Sequence, residues 1–369
     1  MRRVSTATPP PPSIGRAQIA LLERLCNACA VSGDESEVRS IVLEQVRPHV
    51  DELNVDPLGN VLAIHRGSQK GSLKVMLAAH MDEVGFMLTH AEDKDQGIFR
   101  FETIGGIDER QLVGKSVSIG RDHVPGVIGR NPIHLTKESE RRQKVSVDDL
   151  RIDVGSANSA KVRQGDRATF TSQFARLGPS LRAKALDDRL GLVSLVELLK
   201  CAPPHLDLLA AFTVQEEVGL RGASVAAYAL DPQLAIVLDC TSANDLPLLD
   251  PARSPEAENT RYNTRLGAGP AIYVADRASL SDPRLVRHMV ATAEALKIPY
   301  QIRQPDGSGT DAGAIHTQRL GVPTISVSVP ARYLHTPALL SRLADWRNTL
   351  LLIHSTLSRL TPAILAEDR

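Results

Sequence analysis

Four cysteines in 369 residues, Cys26, Cys29, Cys201 and Cys240, are too few and too scattered for a disulfide framework, which favours a reducing compartment and makes the cytoplasm the default location. Aromatic residues are scarce at 3% of the chain, so platforms for stacking sugars are few. Net charge is absent too, with Lys plus Arg and Asp plus Glu both at 43, and no overall field draws the chain to nucleic acid or to an anionic membrane. Neither partner is expected. No apolar run is long enough to span a bilayer, and the N-terminus lacks the apolar stretch of a secretory signal, which predicts a soluble protein.

What is present is a 42% hydrophobic content in a length beyond one compact domain's common size, so two domains are expected. Residues 1–13, with Pro9 to Pro12 in succession, read as a flexible Pro-rich tail. A helix is predicted from about Ile14 with Leu21, Leu22 and Leu25 inward. Cys26 and Cys29 fall inside its pattern and read as small buried hydrophobes, not a redox pair. A second helix follows Gly33, where Asp34 and Glu37 have capping-box spacing before Val38, Ile41 and Val42. Asp56 to Asn60 reads as a turn leading into a strand from Val61 to His65. From Glu83 to Arg176 the texture changes to short alternating strands punctuated by glycines, with a charged stretch from Lys137 to Lys144. The doubly wound pattern resumes at Leu186, where Asp187 and Asp188 precede a helix with Leu192, Leu195, Val196 and Leu199 on one face. The expected fold class is α/β: a three-layer α/β/α domain with a mixed, mostly parallel sheet over residues 14–82 and 177–369, interrupted by a small β-rich insert over residues 83–176.

Several apolar runs end on residues able to bind a metal. Val75 to Ala79 leads to His80 and Asp82, Leu208 to Val214 to Glu216 and Glu217, and Ile236 to Leu238 to Asp239. Runs of this kind read as parallel strands buried on both faces, whose carboxyl ends form the ligand crevice of an open α/β sheet. His-x-Asp at a strand end can present an imidazole and a carboxylate towards one point. Adjacent carboxylates, as in Glu216-Glu217 and Asp187-Asp188, repel one another unless a cation or a shared proton relieves the charge. Singly, each has an ordinary explanation: a solvated loop, a helix cap, a turn residue, or for His335 a surface or core histidine. Their joint occurrence at successive strand ends points to a metal centre. Mixed imidazole and carboxylate donors suit Zn²⁺ first, with Co²⁺ as an activating substitute. These residues alone leave the division of labour between Glu216 and Glu217 open. Gly307, Gly309 and Gly313 around Asp311 suggest a tightly folded loop and lack the strand-to-helix context of a phosphate site.

With these residues in view the chain resembles the tetrahedral aminopeptidases, the family that includes glutamyl and deblocking aminopeptidases among the cocatalytic dinuclear metallopeptidases. The marks are Ala79 to Phe86, Lys184 to Arg189, Gln215 to Ala223, Gly309 to Ala312 and Arg332 to His335. Within the insert, Ile104-Gly105-Gly106, Leu112 to Lys115, Gly126 to Gly129 and Ile152 to Gly155 are similar to that family's small β-barrel dimerisation domain. Ser308 departs from the pattern, where glycine would be expected before Gly309. The resemblance implies two divalent metal ions per subunit, held by His80, Asp187, Glu217, Asp239 and His335, with Asp187 as the bridge. It makes Glu216 the proton-transferring group and sets Asp82 behind His80, where its carboxylate would accept the imidazole N–H. The expected activity is hydrolysis of N-terminal residues from peptides with a free N-terminus, in a homo-oligomer of dimers built through the insert, up to a tetrahedral dodecamer. Arg221, Gly222, Asp311 and His316 receive no role. The alternatives are a dinuclear metal deacylase or carboxypeptidase of related fold, and a catalytically silent assembly scaffold. A cellulase reading is disfavoured by the scarcity of aromatics and by carboxylates that are adjacent rather than opposed.

Overall fold

The computed structural model describes residues 11–68, 71–246, 264–305 and 307–369, so the first ten residues of the expected tail lie outside it. The helices are α1 (Arg16–Asn27), α2 (Ser36–Val46), α3 (Glu138–Arg141), α4 (Leu186–Lys200), α5 (Arg221–Leu230), α6 (Pro283–Leu296), α7 (Ala312–Ile315) and α8 (Leu343–Arg359). The strands up to the second half of the chain are β1 (Glu52–Val55), β2 (Val61–His65), β3 (Leu73–His80), β4 (Gly85–Asp93), β5 (Ile98–Ile104), β6 (Ser116–Ile119), β7 (Val124–Gly129), β8 (Arg151–Asp153) and β9 (Arg167–Phe170). They continue as β10 (Ala175–Leu177), β11 (Ser180–Ala183), β12 (Leu206–Thr213), β13 (Leu234–Ser242), β14 (Ala271–Tyr273), β15 (Gln301–Arg303), β16 (Thr324–Arg332) and β17 (Leu339–Arg342).

The main sheet has the order β1-β2-β12-β3-β13-β16-β17-β11-β10, with β14 and β15 joined at β16. Its centre, β12-β3-β13-β16, is parallel, and the flanks are antiparallel. Alternation along β3 explains the three layers. Leu73, Val75, Leu77 and Ala79 enter the larger core with residues of α1, α2, α4, α6 and α8, while Met76 and Ala78 enter a smaller core with α5 and α7. Both faces of the central strands are covered, which is why their sequences are continuously apolar.

Two local expectations are corrected. The helix after Asp188 is not amphipathic: every residue of α4 from Leu186 to Leu199 is buried, because α4 packs on β3 and β13 and is in turn covered by α1, α2 and α8. The capping box at Asp34 and Glu37 does not form. α2 follows Glu35 without a side-chain cap, and the Glu37 carboxylate instead accepts the Cys29 N–H and meets the His123 ring. Cys26 is buried in α1 as expected, but Cys29 lies beyond that helix and is only partly covered.

Between β3 and β11 the chain builds a closed antiparallel barrel in the order β4-β5-β8-β7-β6-β9. Four of the six phenylalanines, Phe86, Phe99, Phe101 and Phe170, are in its core, and Phe86 meets Phe101 and Phe170 edge-on at 5.3 and 5.2 Å. Scarce aromatic volume is concentrated where a small core most needs it. β10, which follows, pairs with β11 in the main sheet.

The junction between barrel and sheet is ionic. Glu83 is buried between Lys184, at 2.5 Å, and Arg189, at 3.4 Å, and also accepts the Thr169 hydroxyl and the Ala30 N–H. A buried carboxylate needs this degree of satisfaction, and removing one cation leaves it uncompensated. We expect Lys184→Met to destabilise the fold by about 3–5 kcal/mol, read as a lower urea midpoint in the fluorescence of the single Trp346. An unchanged midpoint would contradict this account of the junction.

Candidate metal centre

The carboxyl ends of the parallel strands converge on one cavity of about 930 Å³, lined among others by His80, Asp187, Glu216, Glu217, Asp239 and His335. His80 is the last residue of β3, Asp239 lies in β13, and Glu216 and Glu217 follow the end of β12. His335 lies just past β16, and Asp187 stands at the start of α4 in a non-helical conformation. Gln215, Tyr333 and His335 have φ of 56°, 62° and 56°, so both loops that deliver side chains from β12 and β16 turn through the left-handed region. Such conformations persist only where surrounding structure enforces them.

The imidazoles are oriented by carbonyl oxygens. His80 Nδ1 is 3.1 Å from the Asp82 carbonyl, and His335 Nδ1 is 2.7 Å from the Gly106 carbonyl. A carbonyl only accepts, so Nδ1 carries a proton on each ring, and Nε2 faces the cavity, where a cation would take the place of its proton. Asp187 stands between these two Nε2 atoms, with Oδ1 at 3.2 Å from that of His80 and Oδ2 at 3.8 Å from that of His335. Asp239 Oδ1 lies 3.8 Å from His80 Nε2, and Glu217 Oε2 lies 3.2 Å from His335 Nε2. The two halves of the cluster thus meet at one carboxylate.

Asp82 is present but oriented differently from expectation. Its carboxylate is 3.6 Å from His80 Nδ1, farther than its own carbonyl, because it is engaged elsewhere. It accepts the Ser32 hydroxyl at 2.6 Å and the backbone N–H groups of Glu216 and Glu217 at 3.0 and 3.2 Å. Asp82 therefore fixes the turn that carries the adjacent glutamates, besides holding His80 through its backbone.

Charge is the dominant feature. Burial, reinforced by neighbouring carboxylates and opposed by His80, pushes the carboxyls of Asp188, Glu216 and Asp239 well above their usual range. Glu217 is pushed up by burial to about 7. Burial disfavours the His80 imidazolium, yet contacts with Asp187 and Asp82 outweigh it and raise its pKa well above the ordinary value. Asp188 Oδ1 accepts the Gly191 N–H, while its buried Oδ2 has no hydrogen-bond partner among the described residues. So many carboxyls around two imidazoles share protons unless cations take their place. Oxygen donors with two imidazole Nε2 atoms fit borderline divalent ions such as zinc.

Several contributors carry no strand-end signature. Gly106 and Gln111, whose side chain donates to the His335 carbonyl at 3.1 Å, reach the site from the barrel. The Gly105-Gly106 pair was their only sequence signal. Ser32 and Asp311 were also missed as site residues. Asp311 is buried behind the cavity, accepts from Thr213 at 2.6 Å, and is pushed up by burial to about 6.

Comparison with known proteins identifies the family and the fold. Residues 59–352 match the model of the M42 glutamyl aminopeptidase family. The lysyl aminopeptidase of Pyrococcus furiosus is 33% identical over 354 residues, 93% of this chain and 97% of that protein. The structure of an aminopeptidase from the archaeon Desulfurococcus kamchatkensis superimposes with a TM-score of 0.86 at 36% identity, covering 95% of this chain and 96% of that one. The TET1 peptidase of Pyrococcus horikoshii, described as assembling into a tetrahedron or a large octahedral shell, matches at 0.79 and 30% identity over 93% of this chain and 100% of its own. The family match spans the segments that bring His80, Asp187, Glu217, Asp239 and His335 together, and the chain belongs to the M42 glutamyl aminopeptidase family.

Proposed function

We propose that this protein is a dinuclear metal-dependent aminopeptidase. The observation that carries the reading is Asp187, whose two carboxylate oxygens face the Nε2 atoms of different histidines. His80 and Asp239 would hold one divalent cation, Glu217 and His335 the other, and Asp187 both, with Zn²⁺ favoured by the donors and Co²⁺ as a substitute. When bound, the cations polarise the scissile carbonyl and acidify water.

The remaining work belongs to the protein. Glu216 lines the cavity, and burial raises its carboxyl well above the usual range, which makes it a stronger base than a free carboxylate for taking a proton and returning it to the leaving amine. Asp82 positions Glu216 by accepting its backbone N–H. Arg277 is the only arginine or lysine among the described lining residues, so the cavity's own side chains offer a C-terminal carboxylate little positive charge. That shortage supports an aminopeptidase over a carboxypeptidase. The insert exposes Ile133 and Leu135, at 69% and 72%; together with the tetrahedral assembly described for the Pyrococcus horikoshii TET1 peptidase, this supports assembly of dimers through the insert and, from them, a tetrahedral dodecamer.

Three outcomes are expected. Glu216→Gln should keep wild-type metal content while kcat falls on the order of 10²- to 10⁴-fold; near-wild-type turnover would remove Glu216 from the reaction. Chelator-stripped protein should cleave nothing, and added Zn²⁺ or Co²⁺ should restore cleavage of peptide amides with free N-termini but not of N-acetylated ones. Preferential release of the acetyl group would instead identify a deacylase. Light scattering should show an oligomer, and a monomer would overturn the assembly.

A further inference from the structure

Away from the cavity, a second group of donors joins the barrel to the helical layer. Cys29 lies in the loop after α1, Glu37 in the first turn of α2, and His123 in the turn between β6 and β7. One donor atom from each lies within 4.8 Å of the other two. Cys29 Sγ faces His123 Nδ1 at 3.8 Å, and Nε2 of the same ring is 2.8 Å from Glu37 Oε1. The other carboxylate oxygen accepts the Cys29 N–H at 3.0 Å. Because a carboxylate only accepts, Nε2 carries the ring proton and Nδ1 turns its lone pair towards the sulfur. His123 holds this pose with a φ of 51°, a left-handed conformation.

Thiol, imidazole and carboxylate in this order suit either a nucleophile with its base or a soft-metal site. The adjoining space decides between them. Lined by Cys29 and Glu37, with Arg121 and Arg167 also on its wall, it measures about 20 Å³, room for one water-sized species and for no substrate. Burial also pushes the Cys29 thiol up to about 11, the reverse of an activated nucleophile. By contrast, zinc bonded to sulfur at 2.3 Å and to nitrogen at 2.0 Å sets an S–N separation of about 3.5 Å in a tetrahedral shell. The observed separation needs only a small closure.

We propose that Cys29, His123 and Glu37 form a site for one thiophilic divalent cation, zinc by its donors, which clips the β6–β7 turn of the barrel onto the helical layer. Cys29 Sγ and His123 Nδ1 bind directly, Glu37 holds the ring in its ligating tautomer, and water completes the shell. As the S–Zn bond forms, the thiol proton leaves to the buffer. The site shares no residue with the cavity and stands apart from the proposed hydrolysis.

The test is to saturate the wild-type chain, Cys29→Ser and His123→Ala with Zn²⁺, remove excess metal by gel filtration, and count zinc per subunit by elemental analysis. Iodoacetamide labelling of Cys29, followed by mass spectrometry on metal-free and zinc-loaded wild-type protein, needs no variant and covers the case in which one fails to fold. Each variant should hold one zinc fewer per subunit than the wild type, and zinc should slow Cys29 labelling by roughly tenfold or more. Equal zinc in all three proteins, or labelling at the same rate with and without zinc, would overturn the proposal.

Discussion

Electrostatic crowding at the carboxyl edge of the parallel sheet is the constraint from which the rest follows. Asp187, Asp188, Glu216, Glu217 and Asp239 are gathered around His80 and His335, and full ionisation of such a set in a buried site is prohibitive without counter-charge. Among the described residues, no lysine or arginine supplies it at the centre. The protein places its buried cations one step further out, where Lys184 and Arg189 neutralise Glu83. The site is thereby kept negative, and the frame around it is kept paired.

That arrangement makes the barrel part of the site's machinery as well as a separate core. The segment after β5 delivers the Gly106 carbonyl that sets the His335 tautomer, and Gln111 anchors the same residue by its backbone. The loop before β4 carries Asp82 and Glu83, one gripping the glutamate turn and the other the start of α4. Displacement of the barrel would therefore disturb both imidazoles and both glutamates together.

Much of this was legible in the sequence. Strands covered on both faces have continuous apolar runs, so the ends of β3, β12 and β13 could be located and their polar successors read as converging. The fold class and the insert's β character followed from the same contrast of periodicity. Side-chain direction was not legible. Asp82 has two chemically competent acceptors, carbonyl and carboxylate, and only the position of the Glu216-Glu217 turn decides which one meets His80. Glu37 has capping-box spacing, but the His123 ring and the Cys29 amide compete for its carboxylate, and both arrive through tertiary structure. The total burial of α4 was hidden similarly, since a helix's own pattern does not reveal how many neighbours will cover it.

The insertion of the barrel between His80 and Asp187 has a consequence in polymer terms. These residues stand 107 positions apart, and the contact between them closes a chain loop of that length. The entropy of closing a loop grows only with the logarithm of its length, so each doubling adds about 0.6 kcal/mol. Because the barrel folds on its own phenylalanine-rich core and returns the chain close to where it left, even that small increment is largely cancelled. A whole second module can thus lie between neighbouring side chains of one site without loosening it, and the link between His80 and Asp187 is a place where chain length is nearly free to vary.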